Sequence, residues 1–509
     1  MGTAALKRLI NPLYRPNPTI PCVGAGLVLC LMAPKVQAAQ PLVWTPCNQA
    51  NLPKFECARF ERPLNRNKPN GEKVSLAIAR LRATGRPNQK IGSLFFNPGG
   101  PGAPGLQSAY QGTFLPDAIR QSFDFVTWDP RGLGASSPSL KECSIGMPER
   151  PTHGAVNWTS VLEQRIKQLS TINQTCAKRH KALIERMGTI EVVHDLDALR
   201  AAVGDQKLNF WGVSYGTVIG STYASLFPEK VRTLILDGNV NPWINLTDLS
   251  SASLSADDGI RFFLQTNPDL KEPLDRVIRS LNASTLLLPD GSEYSRWDLL
   301  DSMLLYLPIS MLSDSYVRTL IETTDQALFG QINEKIEARK RLQNDWMKSP
   351  KVDNNSAGGF AAIACQDFPQ RPSEAELKSK LNQLKKQNLN NISPLFGGSL
   401  ATNYLALCSG YERIKSNPIP RARFKNNQAK GLIANASLDP ITPYKWALAM
   451  ARSFPNMRML TYIGNQHGIV NNSQSKCVEQ VVTKYLLSAS LPKTDETCGY
   501  VAPKRIQQP

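Results

Sequence analysis

Histidine is scarce, with only four in 509 residues, at positions 153, 180, 194 and 467. There is no C-x-x-C pair and no H-E-x-x-H stretch, so the usual spacings of a metal centre are missing and no metal or cofactor is expected. The 59 Lys and Arg fall in no dense block, and neither zinc-finger spacing nor an RNP-like aromatic motif occurs, which argues against nucleic acid as a partner. Long hydrophobic runs are also lacking. The longest, Ile20 to Met32, is too short to span a bilayer comfortably.

That run follows Lys7, Arg8 and Arg15 and precedes Val36-Gln37-Ala38, small residues at the spacing of a cleavage site. Residues 1–38 therefore read as a signal peptide, placing the mature protein outside the cell or in a periplasm with no stable membrane insertion. Without those residues the formal charge falls from +18 to +14. The plain reading of this charge is a solvated basic surface, suited to an anionic envelope. Eight cysteines then remain: Cys47, Cys57, Cys143, Cys176, Cys365, Cys408, Cys477 and Cys498. An even number in an exported chain indicates disulfides. Pairing sequence neighbours gives 47–57, 143–176, 365–408 and 477–498, although eight cysteines allow about 105 connectivities and only the two shortest pairs are strongly favoured by proximity.

The chemistry gathers around Leu208-Asn-Phe-Trp-Gly-Val-Ser214-Tyr-Gly216. An apolar run enters G-x-S-x-G and a helical pattern follows, the strand–turn–helix context of a nucleophile elbow with Ser214 at its tip. Further strands are expected at 73–82, 91–96, 123–128, 231–236, 431–435 and 457–463, with helices between them. This alternation indicates an α/β fold with a mostly parallel central sheet and helices on both faces. Residues 245–415 break the alternation with amphipathic helices and read as a large helical lid. The core would comprise 39–244 and 416–509.

A serine needs a base, and the base needs an orienting acid. His153 lies in a Pro/Gly-flanked loop, His180 in a basic helical stretch, and His194 in a helix running into the elbow strand. His467, in Gly464-Asn-Gln-His-Gly468 just past the last long strand, is the one placed to reach a strand-end serine. Asp439, 28 residues earlier in Ser437-Leu-Asp-Pro, completes the order Ser, Asp, His. Asp237, at the end of the strand after the elbow helix, is the competing acid. The oxyanion of an acyl transfer would be held by the Tyr215 N–H and by an N–H of the loop Asn97 to Gly102, at Gly100. No Lys-Ser/Thr follows that loop, which argues against a phosphate cradle. Asp129-Pro-Arg131-Gly132 reads as structural, with Arg131 in an ion pair.

Asn97-Pro-Gly-Gly-Pro-Gly, Asp129-Pro-Arg-Gly-Leu-Gly-Ala-Ser, Gly212-Val-Ser-Tyr-Gly, Asp439-Pro-Ile-Thr-Pro and His467-Gly together resemble the tripeptidyl aminopeptidases, exported α/β-hydrolases related to the proline iminopeptidases. Trp44-Thr-Pro-Cys47, Cys57-Ala58 and Ala361-Ala-Ile-Ala-Cys365-Gln-Asp367 are similar to the same family, and the resemblance runs from about residue 42 to 500. It implies an α/β-hydrolase fold, the triad Ser214, Asp439 and His467, and a peptide entering by its free N-terminus. Two departures, Gly-Ala-Pro-Gly after Pro101 and Tyr411 in Cys408-Ser-Gly-Tyr, bear on substrate preference. An aminopeptidase must hold an ammonium group, for which Asp257, Asp258 and Asp367 are the lid-side candidates. The expected activity is an aminopeptidase releasing short peptides through an acyl-enzyme. The alternatives are a carboxylesterase acting on a small ester with the same triad, and a non-catalytic binding protein of the same fold.

Overall fold

The computed structural model describes residues 42–501 except 49–51, 53, 144, 147–148, 308–312, 348–353, 389–393 and 425–427. The expected signal segment, 1–38, lies outside the described residues. The strands are β1 (Thr45–Pro46), β2 (Glu56–Pro63), β3 (Lys73–Leu81), β4 (Gly92–Asn97), β5 (Phe123–Trp128), β6 (Leu208–Val213), β7 (Val231–Asp237), β8 (Leu286–Leu287), β9 (Glu293–Tyr294), β10 (Leu432–Ala436), β11 (Arg458–Tyr462) and β12 (Glu496–Cys498). Ten of them form one sheet in the order β1-β2-β3-β5-β4-β6-β7-β10-β11-β12. Pairing is antiparallel from β1 to β5 and parallel from β5 to β12.

The central strands are short apolar runs because both faces are covered. Along β4 the side chains alternate between two cores: Phe95 joins the one containing Leu196, Val218 and Tyr223, while Leu94 and Phe96 join the one containing Ile119, Val482 and Leu486. Those partners lie on the helices Thr189–Ala202, Gly216–Leu226, Asp117–Ser122 and Lys476–Ser488, which flank the sheet. Three sheet strands escape the sequence reading. β1 has only two residues. β2 is half-exposed and rich in charge, and β12 has only three residues.

Parallel pairing lines up the carboxyl ends of five strands. Asn97 of β4 faces Gly212 of β6, Val213 faces Asp237 of β7, Asp237 faces Ala434 of β10, and Ala436 faces Tyr462 of β11. Ser214, Asp439 and His467 all lie on loops that leave this edge.

Between β7 and β10 the described chain consists of helices and the small β8–β9 hairpin. Among the described residues the segment touches the carboxyl edge at several points. A Cβ on Gly259, in helix Ser253–Thr266, would lie 3.1 Å from the Pro440 ring; one on Gly359 would meet Leu133 and approach Gly102; and Asp367 meets Tyr215. Its other side rests on helix Trp158–Ile184. Gly398 lies against the Trp158 indole, Arg165 Nε donates to Asn403 (2.9 Å), and the Asn173 amide donates to the carbonyls of Leu407 and Ser409 (3.0 and 2.9 Å).

Among the described residues the disulfides are Cys47–Cys57, Cys143–Cys176, Cys365–Cys408 and Cys477–Cys498. Among the described residues no helix is long and apolar enough to cross a membrane, and no group of three or more His, Cys, Asp or Glu could hold a metal ion.

Candidate active site

β6 runs straight into the turn at Ser214, which adopts φ 57°, a left-handed conformation that L-residues other than Gly, Asn and Asp seldom take. Hydrogen bonds hold it there. The Ser214 N–H donates to the Asp237 carbonyl (2.9 Å), and the Ser214 carbonyl accepts from the Thr217 N–H (2.9 Å) and hydroxyl (2.7 Å). Glycines make the crowding possible. A Cβ on Gly212 would come within 2.4 Å of the Gly216 carbonyl oxygen, and one on Gly216 within 2.7 Å of the Asn97 carbonyl oxygen.

The loop after β4 packs directly on this turn. A Cβ on Gly99 would sit 2.8 Å from the Tyr215 nitrogen and 2.9 Å from Ser214 Cβ, so only glycine allows the approach. Gly99, Gly100 and Gly102 have φ of 96°, 103° and 97°. The Asn97 side-chain oxygen accepts from the Gly99 N–H (3.0 Å) and fixes the start of the loop. Gly100, Gly102 and Gly105 carry the G-x-G-x-x-G spacing, but the segment that follows, Leu106–Phe114, is a 3-10 helix rather than the α-helix a dinucleotide loop requires.

Asp439 and His467 come from the loops after β10 and β11. The ring nitrogen Nδ1 of His467 lies 3.1 and 3.0 Å from the two Asp439 carboxylate oxygens. Asp439 Oδ1 also accepts from the N–H groups of Ile441 and Thr442 (2.9 and 2.8 Å), and Oδ2 from the Thr442 hydroxyl (2.8 Å). The Thr442 hydroxyl in turn lies 3.2 Å from His467 Nδ1. The carboxylate has no solvent-exposed surface, and the imidazole is 11% exposed. Burial pulls the His467 pKa down, but the Asp439 charge and hydrogen bond, with the Asp237 charge behind them, outweigh it and leave it raised. The ring stands beside the elbow. A Cβ on Gly238, next to the Asp237 that holds Ser214, would be 3.2 Å from it, and one on Gly468 would be 3.1 Å from Val213.

Residues 92–270 match the family model of the alpha/beta hydrolase fold, and residues 393–498 match that of the TAP-like proteins. The chain is an α/β-hydrolase. It is 28% identical to Serine protease Hip1 of Mycobacterium tuberculosis over 90% of this chain and 91% of that protein. To the Tripeptidyl aminopeptidase of Streptomyces coelicolor it is 26% identical, over 90% and 85%. To Carboxylesterase B of Mycobacterium tuberculosis it is 25% identical, over 90% and 89%. With serine protease and esterase relatives at nearly full length, this α/β-hydrolase is a serine hydrolase.

Asp237 does other work in this hydrolase. It is fully buried and accepts from the N–H groups of Ile469 and Val470 (2.7 and 3.1 Å) and from the Trp211 indole (3.2 Å). Burial pushes its pKa up to about 6 against these donors. It anchors the chain just after His467, a role that the strand-end position alone could not distinguish from that of the acid. Thr442, whose hydroxyl contacts both Asp439 and His467, escaped the sequence reading. The available signal was its place three residues after a loop aspartate, where a hydroxyl folds back on the carboxylate.

The three lid-side carboxylates differ in their surroundings. Asp258, on helix Ser253–Thr266, is ion-paired with Arg261. Asp257 shares that helix, but its side chain is outside the described residues. Asp367 is held inside the protein. Completely buried, it accepts from Thr189 N–H (2.8 Å), Thr189 Oγ1 (2.6 Å) and the Tyr215 hydroxyl (2.7 Å). Both carboxylate oxygens are thus engaged within the protein, one by a single donor and the other by two.

The motif Asp129–Ser136 forms the floor beneath the Gly-rich loop. Asp129 accepts from the N–H groups of Leu106 (2.9 Å) and Ala135 (2.8 Å). Arg131 is buried in a two-pronged pair with Asp195 (2.7 and 2.8 Å) and caps the carbonyls of Leu64 and Arg186. The other histidines lie apart. His180 contacts Glu142 (2.5 Å), His194 stands edge-on to Phe227, and His153 is exposed.

Proposed function

We propose that this serine hydrolase is an exported aminopeptidase that releases short peptides from free N-termini through an acyl-enzyme at Ser214. The observation that carries the triad is the His467 ring held by Asp439 on loops that leave the same sheet edge as the strained Ser214 turn. Ser214 Oγ attacks the carbonyl carbon while His467 Nε2 takes its proton. Asp439 holds the Nδ1 proton, which fixes the tautomer and stabilises the imidazolium. The oxyanion is received by the N–H groups of Tyr215 and Gly100. Imidazolium then protonates the leaving amine, and water, activated by the same ring, releases the acyl group.

The peptidase reading is supported by similarity to a tripeptidyl aminopeptidase and a serine protease. Four disulfides suit an oxidising compartment, in keeping with export. Similarity to a carboxylesterase supports esterase action as the second reading. A tripeptide p-nitroanilide, its N-acetylated form and a short-acyl p-nitrophenyl ester separate the two. The exopeptidase requires hydrolysis of the free peptide and loss of it on acetylation, whereas equal rates on both peptides, or hydrolysis of the ester alone, would overturn it. Ser214→Ala is expected to remove turnover by roughly 10⁴-fold or more, together with labelling by a fluorophosphonate. A variant that keeps either would refute the nucleophile assignment.

A further inference from the structure

Asp367 is a buried ionisable group for which the triad has no use, yet it lies one residue contact away from the nucleophile. Its carboxylate joins three separate parts of the chain. The Tyr215 phenol, on the residue after Ser214, donates to Oδ2 at 2.7 Å. Thr189, first residue of the helix that leads to β6, donates its hydroxyl at 2.6 Å and its N–H at 2.8 Å. Asp367 itself ends helix Asn354–Asp367 of the insertion, two residues after the Cys365–Cys408 disulfide.

What this junction fixes is the peptide between Ser214 and Tyr215. Its orientation depends on the left-handed backbone of Ser214 and on Tyr215, a residue at φ −60° that is 3% exposed. A side chain anchored at its far end cannot swing, so the backbone N–H beneath it is held as well. The Gly-rich loop closes on that same nitrogen from the other side, where Gly99 has no Cβ to interfere. A purely structural junction would gain more from apolar packing, since burying a carboxylate is costly. Burial raises the Asp367 pKa to about 6 despite its three donors.

We propose that Asp367 is a positioning residue which, through the Tyr215 phenol, holds the Tyr215 N–H in the place where the oxyanion forms. The proposal rests on the acyl-enzyme reading and couples the insertion to the reacting centre through one hydrogen bond. Asp367 never touches substrate; it sets the angle of a donor that does. Misplacing such a donor weakens transition-state binding without weakening substrate binding.

The test compares Tyr215→Phe, Asp367→Asn and the double variant in the full-length protein, with active sites counted by fluorophosphonate. Each single variant is expected to lower kcat about 10–100-fold and leave KM within about twofold. Affinity for an arylboronic acid, which makes a tetrahedral adduct with serine, should fall by a similar factor. The double variant should be no slower than the slower single one, because both act through the same hydrogen bond, which Tyr215→Phe deletes and Asp367→Asn weakens. A higher KM at unchanged kcat would make Asp367 a substrate contact and overturn the proposal. So would a lower melting temperature with unchanged kcat per active site and unchanged boronic acid affinity. If Asp367→Asn does not fold, Tyr215→Phe decides alone, since it keeps the ring. A wild-type protein that fluorophosphonate fails to label would defeat the acyl-enzyme reading itself, and this proposal with it.

Discussion

In the proposed triad the base at His467 must be neutral to take a proton from Ser214, so its affinity for protons sets the acid side of the pH profile. That affinity is the balance of burial, which disfavours imidazolium, against the carboxylates of Asp439 and Asp237, which favour it and prevail. The acid limb of kcat/KM in the wild type is therefore expected above the ordinary histidine value of about 6.5. In Asp439→Asn the main opposing charge is gone, burial dominates, and the limb should move to lower pH while kcat falls by about 10⁴-fold. The same raised pKa makes His467 a stabilising group at acid pH. Its contribution is present below the unfolded value and is lost as pH rises through the folded one. A pH–rate series on both proteins checks the prediction, and an acid limb that stays in place in the variant would contradict it.

At this scale the sequence was most informative where chemistry restricts residue type. One histidine of four sits just past a strand end, and one aspartate before it lies in a proline-stiffened loop. Asp367 was harder to place, because burial and hydrogen-bond partners leave no trace in the residues around it. An acidic residue at the end of a helix reads as solvated unless the fold shows what covers it.

Among elements, the Gly-rich loop and the elbow depend on each other. Two costs can be told apart by comparing Gly99 with Gly291, in the turn between β8 and β9. Both have positive φ, 96° and 84°, so each would strain an alanine by roughly 1 kcal/mol. At Gly291 a Cβ would meet nothing within 4 Å, whereas at Gly99 it would lie 2.4 Å from the Val213 carbonyl oxygen and 2.9 Å from Ser214 Cβ. Gly291→Ala is expected to cost about 1 kcal/mol and leave kcat/KM unchanged. Gly99→Ala must push the loop off the elbow, losing roughly 1–3 kcal/mol more and at least 10²-fold in activity, the loss expected when an oxyanion donor is displaced. Urea unfolding and steady-state kinetics on the two variants decide it. Equal behaviour would mean that the loop is free to relax and does not shape the site.

The long central strands were legible because they are apolar runs ending in turn residues. β1, β2 and β12 were not, since β2 alternates half-exposed charges and the other two are too short to show a pattern. Helices between β7 and β10 were legible from their periodicity. What they pack on was not, because Gly398 against Trp158 and Arg165 against Asn403 are pairings between distant segments that no local pattern encodes.

Across the whole molecule the disulfides tie segments that differ greatly in separation along the chain: 10 residues for Cys47–Cys57, 21 for Cys477–Cys498, 33 for Cys143–Cys176 and 43 for Cys365–Cys408. Their removal should not cost the same. In the chain-entropy account the restraint on the unfolded state grows with the logarithm of loop length, so the longest loop exceeds the shortest by roughly 1 kcal/mol. Position sharpens the order. Cys47–Cys57 joins the edge of the sheet, at β1 and β2, where few other elements depend on it. Cys365–Cys408 lies inside the insertion, two residues from the Asp367 junction with Tyr215, and both its cysteines are buried. Replacing both cysteines of a pair by serine, one pair at a time, is expected to cost about 2–4 kcal/mol at Cys365–Cys408 and least at Cys47–Cys57. The former should also slow turnover, because the helix that carries Asp367 loses its anchor beside the reacting centre. Urea midpoints give the stability order, and kcat per titrated active site separates the second effect from simple loss of folded protein. If Cys365–Cys408 proves the cheapest to remove and leaves kcat intact, the insertion is not coupled to the elbow in the way that the Asp367 hydrogen bonds imply.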